Sequence, residues 1–215
     1  MTEVKRPYDA TGRRERARQR RLDVVIAAQA LFEADGFQAT TISAIAKQAG
    51  VSAESIYKGF GTKAALAKAV FDFVIAGDDE PVPVMDRPET KQVLDEPDVR
   101  RKIQRYVAGA VSRQTRSARV QIAIRDGRHG DDTLRATWQS VLDERLRGMT
   151  ILGRHFLETG DLRPGITPDE VADVLYTYIS VELYELLVLQ RGWTPEQYGD
   201  HLVTAITATL CPPSV

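Results

Sequence analysis

The sequence has little of what catalytic and metal sites need. It contains one cysteine, Cys211, and three widely spaced histidines, His129, His155 and His201. A single cysteine cannot form an internal disulfide, which suits a reducing compartment. No pair among these residues has metal-ligand spacing, and nucleophile-elbow, P-loop and paired-carboxylate motifs are absent. The sequence therefore predicts no metal, no cofactor and no enzymatic activity; a helical enzyme with an uncharted site is an alternative that no motif supports.

Long hydrophobic runs are also missing. None approaches the ~18 apolar residues needed to cross a bilayer, and residues 1–21 are polar and basic, unlike a signal peptide. We therefore expect no membrane partner and a soluble, cytoplasmic protein. The length of 215 residues, with 43% hydrophobic and 27% charged residues, is ordinary for a globular chain of one or two domains.

Charge is unevenly distributed along the chain. The net charge is −1, but residues 1–75 carry 12 Lys/Arg against 8 Asp/Glu, and residues 1–21 carry 8 against 3. A basic end on a mildly acidic body is typical of a protein that meets nucleic acid at one end. A solvated tail explains the same charge equally well. We predict that residues 1–20 form a flexible basic arm.

Strand-like alternation is scarce, and helical periodicity extends through most of the chain. The pattern predicts an all-α protein with a helix-turn-helix domain at 21–76, a proline-rich linker at 77–97 and a helical ligand-binding and dimerisation domain at 98–215. The predicted helices of the first domain start near Arg21, Thr40 or Thr41, Ser52 and Thr62. Those of the second cover approximately 98–116, 118–127, 131–159, 168–191 and 195–210.

The stretch from Thr40 to Lys63 is the most informative. Two short helices flank the turn Gly50-Val51-Ser52, and small or apolar residues are spaced to face one another across it. An ordinary helical hairpin has the same pattern. In a DNA-binding protein, however, the second helix would present its outer side chains to the major groove.

These residues resemble a known family. Thr40-Thr41-Ile42-Ser43-Ala44-Ile45-Ala46-Lys47-Gln48-Ala49-Gly50-Val51-Ser52 and Ile56-Tyr57-Lys58-Gly59-Phe60-Gly61-Thr62-Lys63-Ala64-Ala65-Leu66 are similar to the helix-turn-helix of TetR/AcrR regulators. A second similarity, to the C-terminal domain of one subset of that family, lies in Gly160-Asp161-Leu162-Arg163-Pro164-Gly165, Glu182-Leu183-Tyr184 and Arg191-Gly192-Trp193-Thr194.

The resemblance implies a role for each matching residue. Phosphate contacts would come from Thr41, Ser52, Tyr57 and Lys63, and Arg20 and Arg21 would lie near the DNA backbone. The base-reading positions hold Ala53, Glu54, Ser55 and Lys58. Lys58 and Ile56 depart from the aromatic residues or histidine that many members carry at these positions. Glu54 either accepts from a cytosine amino group or is a first-turn acid favoured by the helix dipole.

The C-terminal half is predicted to form a dimer and to bind a small-molecule effector. Helix 168–191 is apolar on two sides and, with 195–210, would pack against a second copy to match a palindromic operator on double-stranded DNA; a plain bundle core is the alternative. Candidate ligand-binding residues are Tyr106, Arg125, Trp138, Leu142, Phe156 and Tyr178. The resemblance implies a repressor that an effector of unknown identity releases. The alternative function is a helical protein–protein interaction module without specific DNA binding.

Overall fold

The computed structural model describes residues 10–80 and 82–213, with side chains from residue 12 onward, and this part contains helices and no strands. The all-α prediction is confirmed. The helices are α1 (Ala10–Ala39), α2 (Ile42–Ala49), α3 (Ala53–Phe60), α4 (Lys63–Ala76), α5 (Pro88–Leu94), α6 (Val99–Gly127), α7 (Asp132–Thr159), α8 (Pro168–Tyr178), α9 (Val181–Tyr184) and α10 (Pro195–Leu210). A 3₁₀ turn (Val84–Asp86) precedes α5, and a π-helix (Glu185–Gln190) continues α9.

Hydroxyl side chains start the three helices after α1. Thr41, Ser52 and Thr62 each accept a hydrogen bond from the backbone N–H three residues ahead, at 3.0–3.1 Å. Such caps satisfy amides that have no partner within the helix. Gly50, at φ 66°, and Gly77, at φ 87°, end α2 and α4 in the left-handed region, where glycine carries no steric cost. The predicted helix boundaries are confirmed here because these signals act locally.

Helix α1 begins earlier than its hydrophobic pattern indicates. It is helical from Ala10, with a break at Gly36 (φ 76°), so the prediction of a flexible arm is wrong for residues 10–20. Residues 1–9 of that arm lie outside the described residues. Residues 13–20 are all good helix formers, but the first turns of the helix are exposed and therefore have no apolar face that periodicity could detect.

The predicted linker contains ordered structure. Its 3₁₀ turn and α5 pack against each other, and α5 packs on α6. Pro88 occupies the first turn of α5, where the missing N–H costs nothing. The second half of the predicted proline-rich linker at 77–97 therefore contains a short helix.

The C-terminal domain is organised around α6, one continuous helix of 29 residues. The predicted interruption between 116 and 118 does not occur. Ser117 is fully buried, and its hydroxyl donates to the Arg113 carbonyl at 2.6 Å inside the helix. Helices α1, α4, α5, α7, α9 and α10 all contact α6. Helices α7 and α10 follow the predicted ranges within about a residue.

The predicted helix over 168–191 is divided. Helix α8 ends at Tyr178, Ser180 is extended, and α9 begins at Val181. The amide of Gln114 donates to the freed carbonyl of Ile179 at 2.6 Å, so a buried side chain on α6 compensates for the break. Residues 178–181, where the helix breaks, include no proline or glycine, which is why the sequence shows no sign of the break. No described helix combines the length and apolarity that a membrane crossing requires.

Candidate nucleic-acid interface and regulatory cavity

Helix α3 has one buried and one exposed face. Ile56 is 1% exposed and belongs to the core of the domain. Ser52, Glu54, Ser55 and Lys58 are exposed, and so is Tyr57, at 53%; Ala53 is half-buried. The predicted base-reading and phosphate-contacting side chains of α3 therefore share one accessible surface, which we name the recognition face (residues 52–58 except Ile56).

Two further predicted DNA contacts flank that face. Arg20 is exposed and lines, with Ser52, Ser55 and Lys58, a groove between α1 and α3. The guanidinium of Arg21 donates to the Gly59 carbonyl at 3.0 Å and lies 4.1 Å from the centroid of the Phe60 ring. Arg21 therefore ties α1 to the end of α3 and leaves its remaining N–H groups exposed.

Lys63 has a structural role that its sequence position does not reveal. Its ammonium donates to the carbonyls of Phe37 and Thr40, both at 2.9 Å, and lies 4.1 Å from the centroid of the Phe37 ring. Partial burial lowers the pKa of the ammonium from its usual range. Two of its three donors thus hold the corner between α1 and α2, and the third is available to a phosphate.

The corner between α1 and α2 also contacts the end of α6 in the C-terminal domain. A side chain at Gly127, the last residue of α6, would come within 3.0 Å of Phe37 and 2.8 Å of Leu134, so Phe37 packs directly on this glycine. The amide of Gln38 donates to the Gly127 carbonyl at 2.8 Å. A displacement of α6 therefore reaches the start of the helix-turn-helix through a packed contact.

A second connection lies at the end of α4. Arg87, just before α5, forms a two-pronged ion pair with Asp78 at 2.7 and 2.9 Å and lowers the pKa of that carboxyl to about 2. Arg18 of α1 pairs with Asp79 at 2.6 Å. Arg116 of α6 donates to the Val74 and Ile75 carbonyls. The end of α4 is thus linked to α1, α5 and α6.

A cavity of about 290 Å³ lies between α5, α6 and α7, in the size range of a small-ligand site. Its walls are mainly apolar, with Val93, Met149 and Leu152 among the lining residues, and Tyr106 and Arg113 contribute polar groups. The predicted linker thus supplies one wall of the cavity.

Of the six predicted ligand-binding residues, only Tyr106 lines this cavity. Phe156, fully buried, meets the Tyr106 ring edge-on at 6.3 Å, whereas Trp138, Leu142 and Tyr178 pack in the core. The cavity therefore does not support a ligand-binding role for Phe156, Trp138, Leu142 and Tyr178.

Arg125 does not line this cavity. Its guanidinium forms ion pairs with Asp126 at 2.9 Å and with Glu185 at 2.7 Å, and Glu182 lies at 3.7 Å. These acids come from its own helix and from the segment after the α8 break. Arg113, twelve residues earlier on α6, is the arginine that faces the cavity. No pattern in the sequence distinguishes the face of Arg113 from that of Arg125.

No group of three or more His, Cys, Asp and Glu side chains in the described ranges could hold a metal ion. No curated protein matches the chain in sequence. Residues 25–70, however, match the family model of bacterial regulatory proteins of the tetR family. The match covers α2, α3, the second half of α1 and the first part of α4, and it includes the recognition face.

Solved structures share the fold over nearly the whole chain. NalD from Pseudomonas aeruginosa, the secondary repressor of a multidrug efflux pump, is 21% identical with a TM-score of 0.70, over 93% of this chain and 100% of that one. FadR from Bacillus subtilis, in complex with stearoyl-CoA, is 17% identical with a TM-score of 0.69 over 86% and 96%. A regulator from Saccharomonospora viridis, in complex with choline, is 18% identical with a TM-score of 0.69 over 91% and 99%.

These similarities agree with the geometry. A capped helix-turn-helix with an exposed recognition face occupies the part of the chain that matches the family model, and the helical domain behind it contains a ligand-sized cavity. Regulators of this family are generally DNA-binding proteins without enzymatic activity. The chain is therefore a transcriptional regulator whose residues 25–70 match the helix-turn-helix DNA-binding domain of the tetR family, and its overall fold is that of solved regulators of that family.

Proposed function

We propose that the chain acts in the cytoplasm as a homodimeric repressor that binds a palindromic operator and leaves it when a small molecule occupies the regulatory domain. The observation that carries the proposal is the recognition face, where the polar side chains of α3 are exposed while Ile56 anchors the helix. A short helix presented in this way fits the major groove. A protein–protein interaction module is disfavoured because the matched domain is that of a DNA-binding family.

The proposed DNA-contacting side chains divide into those that position the protein on the phosphate backbone and those that read base edges. Thr41 and Ser52 cap their helices as acceptors, so the Thr41 hydroxyl proton and the first amides of α2 and α3 remain for phosphates, while the Ser52 hydroxyl also shares a 2.8 Å hydrogen bond with the Ser55 hydroxyl. Tyr57, exposed at the middle of α3, would donate to another phosphate. Arg20, Arg21 and Lys63 would supply positive charge near the backbone. Ala53, Glu54, Ser55 and Lys58 would meet base edges.

The dimer is inferred from surface left exposed on the regulatory domain. Leu186 and Leu189 of the π-helix are 50% and 38% exposed, and the adjacent α10 lies on the same side of α6. Two copies joined here by a two-fold axis would place two recognition helices about 34 Å apart, one turn of DNA.

The two connections between the domains give a route for release. A ligand in the cavity touches α5 and α6, and these elements reach α4 through Arg87 and Arg116 and reach α1 and α2 through the packing on Gly127. The ligand would favour a state whose recognition helices no longer match the operator, with a typical coupling of about 1–3 kcal/mol. Neighbours of this fold hold choline and stearoyl-CoA, which supports an effector without indicating its chemistry.

The decisive experiment is selection of genomic fragments by the purified chain at near-physiological salt, followed by sequencing. Enrichment of a few palindromic sites supports the proposal. Weak binding without sequence preference, at every salt concentration and with no enriched site, contradicts it.

Lys58→Ala and Lys63→Ala are expected to affect DNA binding differently. Lys63→Ala should lower affinity for every site, because it removes a charge near the backbone and loosens the corner at Phe37 and Thr40; each lost phosphate contact should reduce the salt slope by about 0.9. Lys58→Ala should instead reorder preferences among sites, since a base contact discriminates by about 1–3 kcal/mol.

The measurement is fluorescence anisotropy on a panel of sites at several salt concentrations. Lys91→Ala, which removes the same charge from exposed α5, serves as the control. Unchanged affinity in both test variants would mean that the recognition face is misplaced.

A further inference from the structure

Arg113 is a cationic side chain without a partner. It lines the cavity between α5, α6 and α7, and its guanidinium lies against the bare backbone of Gly109. Within the described residues it forms no ion pair and its guanidinium donates no hydrogen bond. Burial lowers its pKa from the usual range, yet arginine stays charged in proteins. The side chain is half-buried, and a partly desolvated charge without an ion-pair partner is costly, so such an arginine is unusual in a site with no function.

The acidic side chains near Arg113 do not neutralise its charge. Glu89, which lines the mouth of the cavity from α5, attracts Arg113 electrostatically but lies beyond ion-pair distance. Glu96 is committed to Arg105 at 2.9 Å. Arg116, the other charged neighbour, repels Arg113. Arg113 is therefore a cation of the cavity lining that forms no ion pair within the described residues, and Glu89 is the acid that shares this lining with it.

Tyr106 adds a poorly satisfied donor to the same cavity. Its hydroxyl donates to the Met149 sulfur at 3.2 Å, and the Leu175 carbonyl is at 3.5 Å, the limit of a hydrogen bond. A thioether is a weak acceptor. Burial raises the pKa of this hydroxyl above its usual range, so the proton stays in place and can be offered to a stronger acceptor.

Arg145 is a second cation near the Tyr106 hydroxyl. Its Nε atom is buried and has no hydrogen-bond partner, and its guanidinium lies 4.3 Å from the centroid of the Tyr176 ring. Both Arg145 and Arg113 act electrostatically on the Tyr106 hydroxyl. Arg113 and the Tyr106 hydroxyl thus lie together in the lining of the cavity, beside the apolar side chains of Val93, Met149 and Leu152, and Arg145 acts on the same hydroxyl from outside that lining.

We propose that the effector is an anionic amphipath, with its carboxylate or phosphate group on Arg113 and Tyr106 and its apolar part against Val93, Met149 and Leu152. This inference rests on the proposed function, since it names the chemistry of the effector assumed there. A charged head on Arg113 would also draw α5 and α6 together, because both elements line the cavity.

Calorimetric titration of the full chain with octanoate, octyl phosphate and the neutral octanamide tests the proposal. At least one anion should bind about tenfold to hundredfold tighter than octanamide, the range expected for charge-assisted hydrogen bonds. Arg113→Gln should remove that preference without lowering the apo melting temperature, because it deletes an uncompensated charge. Arg119→Gln, an exposed change on the same helix, should leave the preference intact.

Equal binding of octanamide, failure of both anions to bind, or a preference that survives Arg113→Gln would each overturn the anionic site. DNA release is scored separately, by adding each probe to the complex with a selected operator fragment. Anion binding without release would refute the effector part of the proposed function and leave the site standing. If the anionic site is absent while the protein still binds its operator, the anionic site is refuted and the proposed function stands.

Discussion

Replacing Leu186 and Leu189 together with glutamate is expected to lower operator affinity by about 10²- to 10⁴-fold and to convert the protein to monomers. Both leucines project from the π-helix with 50% and 38% of their surface exposed. In a two-fold dimer the second recognition helix binds at a high effective concentration, and monomers lose that gain. The two substitutions would place four carboxylates at the interface, where Glu182 and Glu185 already add negative charge nearby.

Sedimentation velocity would report the oligomeric state, and fluorescence anisotropy the affinity for a selected palindromic site. The matched control is the pair Leu146→Glu and Ile151→Glu, since these α7 side chains are exposed to a similar degree, at 44% and 43%. A test variant that remains dimeric with full affinity would show that the interface lies elsewhere. A monomeric variant that keeps full affinity would refute operator binding as a dimer.

Gly153→Ala is expected to destabilise the regulatory domain by about 1–3 kcal/mol, the usual cost of overpacking. A Cβ at this position would lie 2.8 Å from the Pro168 carbonyl oxygen and 3.2 Å from the Ala172 amide nitrogen. Both are backbone atoms at the start of α8, which cannot rotate away as a side chain could. The glycine thus permits the close approach of α7 and α8, and the substitution would force them apart.

The melting temperature, measured by circular dichroism, checks this prediction. Each kcal/mol of lost unfolding free energy should lower it by about 2–4 °C in a chain of this size. Gly148→Ala on the same helix is the control, because nothing lies within 4 Å of the added methyl group. That change should instead stabilise the protein by about 0.5–1 kcal/mol through helix propensity. Equal melting temperatures for the two variants would contradict the packing argument.

The sequence predicted the DNA-binding domain closely because its signals are local. The cap residues Thr41, Ser52 and Thr62 and the left-handed Gly50 each act on atoms within a few residues along the chain. The buried Ile56 and the polar residues around it follow from helical periodicity alone. The resemblance to the TetR family depended on the same stretch, and the family match at residues 25–70 confirms it.

The regulatory domain was predicted less well because its decisive interactions are long-range. The break before α9 is compensated by Gln114, 65 residues away from Ile179. Arg125 and Arg113 lie on one helix, and only the packing of other elements decides which of them meets acids and which meets a cavity. Lys63 likewise shows its bonds to Phe37 and Thr40 only after α1 and α4 have packed together.

By itself, therefore, the sequence determined the all-helical class, the capped helix-turn-helix and the family, since periodicity, caps and turn glycines act within one or two helical turns. The tertiary structure decided the wall that α5 contributes to the cavity, the unpaired state of Arg113 and the two connections from α6 to the DNA-binding domain. These features depend on side chains distant in sequence that meet only when the helices pack, and no local pattern encodes that meeting.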